Sequence, residues 1–185
     1  MKTTLDELIA YVKNPTNQQD PNTRFLYRLK KVGSILSICF ASTFILTILL
    51  SFLEGLGLLE TGKHAIEDIL NTKNDLLFFV LAVIVAPLVE ETIFRAPLTL
   101  FKSPKNFRIA FYTSTFLFGY MHLFNYELTS NVLIFSPILV APQLVIGWYL
   151  GFARIRFGLL WSIVLHGTYN GILVSLFLLA KNAIH

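Results

Sequence analysis

Five ionisable side chains fall inside long apolar runs of this sequence: Glu90, Glu91, Arg95, His122 and His166, with Asn170 beside them as a strong polar group. Each ionisable group costs about 2.5–3.5 kcal/mol to place in the middle of a membrane helix, so such residues mark functional sites by default. Glu91 and Arg95 are four apart and can pair along one helix face. That leaves Glu90, about 100° round the helix, free for another partner. His166 and Asn170 are also four apart and project from one face of a second helix. Phe118 and His122 share a face of a third. At a rise of about 1.5 Å per residue, Glu90 lies about 12 Å from Leu98, and His122 about 20 Å from Ile109. On the same scale His166 lies about 13 Å and Asn170 about 20 Å from Phe157. Three helices can therefore bring a carboxylate, two imidazoles and an amide to one depth, where polar groups left alone in lipid would be costly.

The chemistry that fits this set is hydrolysis. A carboxylate in a dry site can act as a base on water, and a histidine can share that water or pass its proton to a leaving amine. A second histidine and an amide can donate to a developing oxyanion. A metal route is open as well, since Glu90, His122 and His166 could be three zinc ligands with water as the fourth. The sequence has no His-Glu-x-x-His, which removes the zinc-protease signature carried on a single helix. Structural readings stand beside these. Glu91–Arg95 suits a purely supporting pair, and Phe118 suits packing. His122, His166 and Asn170 could each join helices by hydrogen bonds. All of them together with Glu90 as mere glue is the weakest reading, because four expensive groups would serve no purpose.

The elements that must hold these residues are membrane helices. The chain has 185 residues, 55% hydrophobic and 14% charged, with mean hydropathy +0.64. A soluble domain carries about 25% charged residues, so much of this surface has no need of water. The fold class is all-α, a polytopic transmembrane helical bundle of about five spans with a short N-terminal amphipathic helix. Residues 4–13 place Leu5, Leu8, Ile9 and Val12 on one helical face, capped by Thr3 or Thr4 and stopped by Asn14-Pro15, and this helix is expected on the membrane surface. The expected spans are Val32–Leu53, Leu76–Leu98, Ile109–Leu128 with His122, Asn131–Ala153 and Phe157–Ala180. Pro137 and Pro142 predict a kink or break in the fourth. Residues 1–31 read as a cytoplasmic segment, 54–75 as an extracytoplasmic loop, and 76–180 as the catalytic core. The first apolar run reads as an anchor, with no cleavable signal before it. The loop holds an exposed acidic set, Glu54, Glu60, Glu67, Asp68 and Asp75, and a short helix His64–Leu70, with His64 and the terminal His185 in water.

Charge gives the orientation. With the N-terminus cytoplasmic, eleven Lys and Arg residues fall on that side, three on the other, and Arg95 within the membrane. The net charge of +4 is spread too thinly for a nucleic-acid surface, and no nucleic-acid-binding motif is present. Cys39 stands alone in an apolar run, which excludes an internal disulfide and suits a small lipid- or helix-facing residue.

Glu90-Glu91-x-x-x-Arg95, Phe118-x-x-x-His122 and His166-x-x-x-Asn170, in that order and each in a separate apolar span, resemble the three motifs of the CAAX prenyl endopeptidase type II family. That family is also called CPBP or Abi, after bacteriocin processing and immunity, and the resemblance covers residues 76–180. It implies an α-helical intramembrane endopeptidase with its site in a cavity open toward the cytoplasm. Glu90 takes the place of the catalytic glutamate, His122 shares its water, His166 and Asn170 stabilise the oxyanion, and Glu91 and Arg95 complete the first motif. On this footing a metal-free site is favoured over zinc, and no cofactor is expected. The chain is shorter than the eukaryotic prenyl proteases, has fewer spans and shows no prenyl-binding groove in its sequence. The expected partners are therefore the lipid bilayer and a membrane-associated peptide or protein, with or without a lipid. The compact form suits a bacterial cell membrane. The alternative is a non-catalytic immunity or peptide-binding protein on the same scaffold. A transporter is disfavoured by a single unpaired carboxylate and the lack of an inverted repeat.

Overall fold

The computed structural model describes residues 4–59 and 74–184, and these are helical almost throughout. The expected helix His64–Leu70, His185 and most of the acidic loop lie outside the described residues. Of that loop, Glu54 is exposed, but Asp75 is half-buried in an ion pair with Lys181 at 2.7 Å.

The first helix, α1 (Thr4–Lys13), ends before Asn14-Pro15. It docks on the bundle through its inner face. Leu8 and Tyr11 are buried, and the Tyr11 ring stands edge-on to Phe111 and Phe152 with centroids at 5.6 and 5.0 Å. Leu5 and Ile9, on the same helix, stay exposed. Glu7 holds Lys31 at 2.7 Å, and Asp20 holds Arg156 at 3.3 Å, which ties the N-terminal segment to the ends of two long helices.

Helix α2 (Phe25–Gly55) begins seven residues before the expected span, because Arg28, Lys30 and Lys31 are good helix formers and nothing stops the helix at a membrane boundary. Cys39 is buried on its inner face. The second apolar run is a compound element: α3 (Asp75–Val80), a π turn (Leu81–Val85), α4 (Ala86–Phe94) and a 3-10 turn (Ala96–Leu100). Next comes α5 (Pro104–Met121), capped by Ser103 Oγ on Asn106 N at 3.2 Å. It stops short of the predicted span end, and His122 opens a 3-10 turn, His122–Asn125, instead of lying within a helix. The run Ser130–Phe157 divides at Val140 into α6 (Ser130–Leu139) and α7 (Ala141–Phe157), two residues before Pro142, which lies in the first turn of α7. Gly158, at φ 108°, then turns the chain into α8 (Leu159–Ile184), a conformation that side-chain-bearing residues resist.

Four of these helical runs are long and apolar enough to cross a membrane: Phe25–Gly55, Asp75–Leu100, Ser130–Phe157 and Leu159–Ala183. The 18-residue α5 is the fifth member of the bundle but is less apolar. In the apolar window of Ser130–Phe157, 44% of residues are buried, against 17, 11 and 17% in the other three, so α7 is the central helix. Exposed Phe44, Ile45, Ile48, Ile84, Leu88, Ile172 and Leu176 give the outer helices an apolar surface suited to lipid. Close approach at the centre depends on glycine. A Cβ on Gly151 would stand 2.6 Å from the Phe111 ring, and one on Gly147 would stand 3.2 Å from both Arg95 Nη2 and Phe118 Cδ1. Those two positions let α5 and the Arg95 side chain reach the axis of α7.

Candidate active site

The second apolar run bends where its sequence forces it to. Pro87 has no N–H, and its ring clashes with the carbonyl one turn back. The backbone answers with the π turn, in which Ala86 N–H bonds Leu81 O rather than Ala82 O. Ala82 O thereby loses its α-helical donor, and Pro87 cannot supply the π-helical one. Asn170 Nδ2, from α8, donates to that carbonyl at 2.9 Å. Gly167, one turn earlier on α8, leaves room for the displaced backbone, since a Cβ there would stand 2.8 Å from Val83 O. This bend precedes Glu90 and Glu91 by less than two turns.

The two glutamates then diverge as their 100° separation requires. Glu91 is wholly buried. Its Oε2 lies 2.5 Å from Ser162 Oγ, and its Oε1 lies 3.0 Å from His166 Nδ1. Arg95 is the more distant partner, with Nη1 at 3.9 Å from Glu91 Oε1. The expected helix-face pair is thus loose, because α4 ends at Phe94 and the Arg95 guanidinium turns onto the Phe118 ring, 3.9 Å from its centroid. Arg95 Nη2 reaches Gly147 O at 3.4 Å. Arg154 fixes this turn from outside, donating to Arg95 O at 3.0 Å and Ala96 O at 3.1 Å.

Glu90 faces the other way, into a cavity of about 670 Å³ that His122, His166, Asn170 and Phe118 also line. Its Oε2 is buried without a hydrogen-bond partner among the described residues and lies 3.8 Å from His166 Nε2. His166 therefore bridges the two carboxylates, Nδ1 on Glu91 and Nε2 toward Glu90. His122 Nδ1 lies 2.8 Å from Phe118 O. A carbonyl only accepts, so Nδ1 carries a proton there, and in the neutral ring Nε2 is the acceptor. Phe118 spaces the two imidazoles, with ring centroids at 5.0 Å from His122 and 5.7 Å from His166.

The structure thus gathers Glu90, His122, His166 and Asn170 at one cavity and sets Glu91 and Arg95 in the wall behind it. Among the described residues, no three His, Cys, Asp or Glu side chains are grouped as a metal site needs. Two residues of this region escaped the sequence reading. Ser162 stands one turn before His166 on the same face as His166 and Asn170, and that spacing was the signal. Gln143 lines the cavity from the first turn of α7, and its signal was an amide in an apolar run beside Pro142.

Comparison with known proteins agrees with this arrangement at the level of family. Residues 72–172 match the family model described as type II CAAX prenyl endopeptidase Rce1-like, and this stretch contains all three motifs. Neither the curated proteins nor the solved structures compared with the chain gave a match. More than half of the chain is covered by the family model, so this protein belongs to the Rce1-like type II CAAX prenyl endopeptidase family: it is an integral membrane protein of a peptidase family that acts on membrane-associated proteins.

Proposed function

We propose that the chain is an intramembrane endopeptidase that cleaves a membrane-associated substrate with water activated by Glu90 and His122, without a metal. The observation that carries this reading is Glu90, which lines a cavity shared with two imidazoles and whose buried Oε2 has no hydrogen-bond partner among the described residues. In the proposed reaction Glu90 takes a proton from water while His122 Nε2 accepts the water's second hydrogen bond. The oxygen attacks the scissile carbonyl carbon. The resulting oxyanion receives hydrogen bonds from His166 Nε2–H and from the second N–H of Asn170 Nδ2, whose first is spent on Ala82 O. The carbon–nitrogen bond then breaks, and the proton held by Glu90 passes to the leaving amine. His166 must carry protons on both nitrogens to do this. The Glu91 carboxylate, 3.0 Å from Nδ1, balances that charge and fixes the ring. Glu91, Ser162 and Arg95 act through His166 and touch no reacting atom.

The excess of basic residues in residues 2–31, from Lys102 to Arg108 and at the C-terminal end of α7 supports a cytoplasmic N-terminus. A reporter fused after Asn71 reads extracytoplasmic on this topology and cytoplasmic if it is wrong. The activity itself is tested by incubating purified protein in liposomes with a peptide library in H₂¹⁸O. Peptide cleavage with ¹⁸O in the new carboxyl termini is expected. Peptide binding without any cleavage would favour the non-catalytic immunity or binding role on the same scaffold.

A further inference from the structure

Three buried side-chain atoms among the described residues have no hydrogen-bond partner: Glu90 Oε2, Arg95 Nη1 and Gln143 Oε1. Arg95 Nη1 faces Glu91, and Glu90 is taken up by the water of the proposed reaction. Gln143 is not accounted for by anything described so far. It lines the same cavity as Glu90 and His166, but from α7, and its near neighbours on that wall, Leu139, Pro142 and Ile146, offer no donor. A buried acceptor left bare destabilises a fold, and proteins keep few of them. An amide presents an acceptor and donors side by side, the complement of a peptide unit. An extended substrate offers one N–H toward a given wall at every second residue.

We infer that Gln143 is a substrate-binding residue, its Oε1 accepting one backbone N–H of the peptide that lies in the cavity. The contact fixes the peptide's register against Glu90, so that one bond is presented to the water and its neighbours are not. This rests on the cavity's being a peptide site, as proposed above.

The test uses full-length protein in detergent and a fluorescent heptapeptide ending in a CAAX sequence, its cysteine farnesylated or free. Glu90→Gln serves as the uncleaving parent. Adding Gln143→Met, which keeps the side chain's length and removes the acceptor, is expected to weaken binding by about 5- to 150-fold, the range for leaving one buried neutral donor of the peptide unpaired. Thermal unfolding of the double variant should be no lower than that of its parent, because the lost acceptor had no partner. Replacing the substrate's amides one at a time by esters should find one position whose replacement weakens the parent by a similar factor and leaves the Gln143→Met variant unaffected. Equal affinity in parent and variant, no binding of either peptide by the parent, or lowered stability with unchanged binding would each overturn the inference. Cleavage by the wild type with a Gln143-independent affinity would overturn this inference alone. Binding that depends on Gln143 with no cleavage by the wild type would overturn the peptidase reading alone.

Discussion

Asn170 is asked to do two things at once, and the two can be separated. Its Nδ2 donates to Ala82 O, a carbonyl that Pro87 and the π turn have stripped of both helical donors. Asn170→Ala leaves that half-buried carbonyl bare, which costs about 1–3 kcal/mol. The same substitution removes one oxyanion donor, worth about 10²–10³-fold in turnover. Pro87→Ala returns an N–H at the bend. In a π register that N–H reaches Ala82 O; if the α register is resumed, Ala86 N–H reaches it instead. Either way the carbonyl is satisfied without Asn170. In the Pro87→Ala background, Asn170→Ala should therefore cost less than about 0.5 kcal/mol, while turnover stays low. The assay is a double-mutant cycle of equilibrium unfolding in detergent, with peptide cleavage measured on the same four proteins. A stability loss that is the same in both backgrounds would show that Asn170 does not support the bend. Recovery of turnover together with stability would show that it donates to no oxyanion.

Other substitutions probe the wall behind the cavity. Arg95→Ala removes the guanidinium that faces buried Glu91, and a buried pair broken from one side costs about 3–5 kcal/mol. Expression and thermal stability should both fall, and a well-expressed variant of normal stability would contradict the supporting role. Ser162→Ala strips Glu91 Oε2 of its hydroxyl donor, and a hydrogen bond to a charged group is worth about 1.5–3 kcal/mol. Reduced stability with turnover lowered through His166 is expected, and unchanged kcat with unchanged stability would count against it. Treatment with a chelator should leave cleavage intact. Activity lost on chelation and restored by added zinc, with one zinc per chain, would reassign Glu90, His122 and His166 as ligands.

Much of the membrane architecture was legible because lipid imposes a length and a composition on each span. The all-α bundle follows from apolar runs alone, and Pro142 marks the break at Val140. Helix ends were less legible. Basic Arg28, Lys30 and Lys31 continue α2 as readily as they end a hydrophobic run, and nothing in the residues around His122 signals the change from α5 to a 3-10 turn. The docking of α1 depends on Phe111 and Phe152, far away in sequence, so its periodicity could show an apolar face but not what covers it. At the site, spacing of three or four residues showed which side chains share a face. It could not show that Glu91 would prefer Ser162 and His166 to Arg95, because that choice is made between helices. The π turn was encoded locally by Pro87, yet its consequence, an orphaned Ala82 carbonyl met by Asn170, needs the packing of α8 at Gly167 to exist.

The central claim is that Glu90, and not Glu91, takes the proton from water. Glu90→Gln and Glu91→Gln, reconstituted side by side in liposomes, test it through the rate of peptide cleavage per folded molecule. Gln keeps the shape of either side chain and cannot accept the proton. Glu90→Gln should lose at least about 10²–10⁴-fold in rate, the share of general-base catalysis, with unchanged thermal stability. Glu91→Gln should lose stability, because it holds Ser162 and His166 in the buried wall. A Glu90→Gln protein that still cleaves at the wild-type rate would contradict the account.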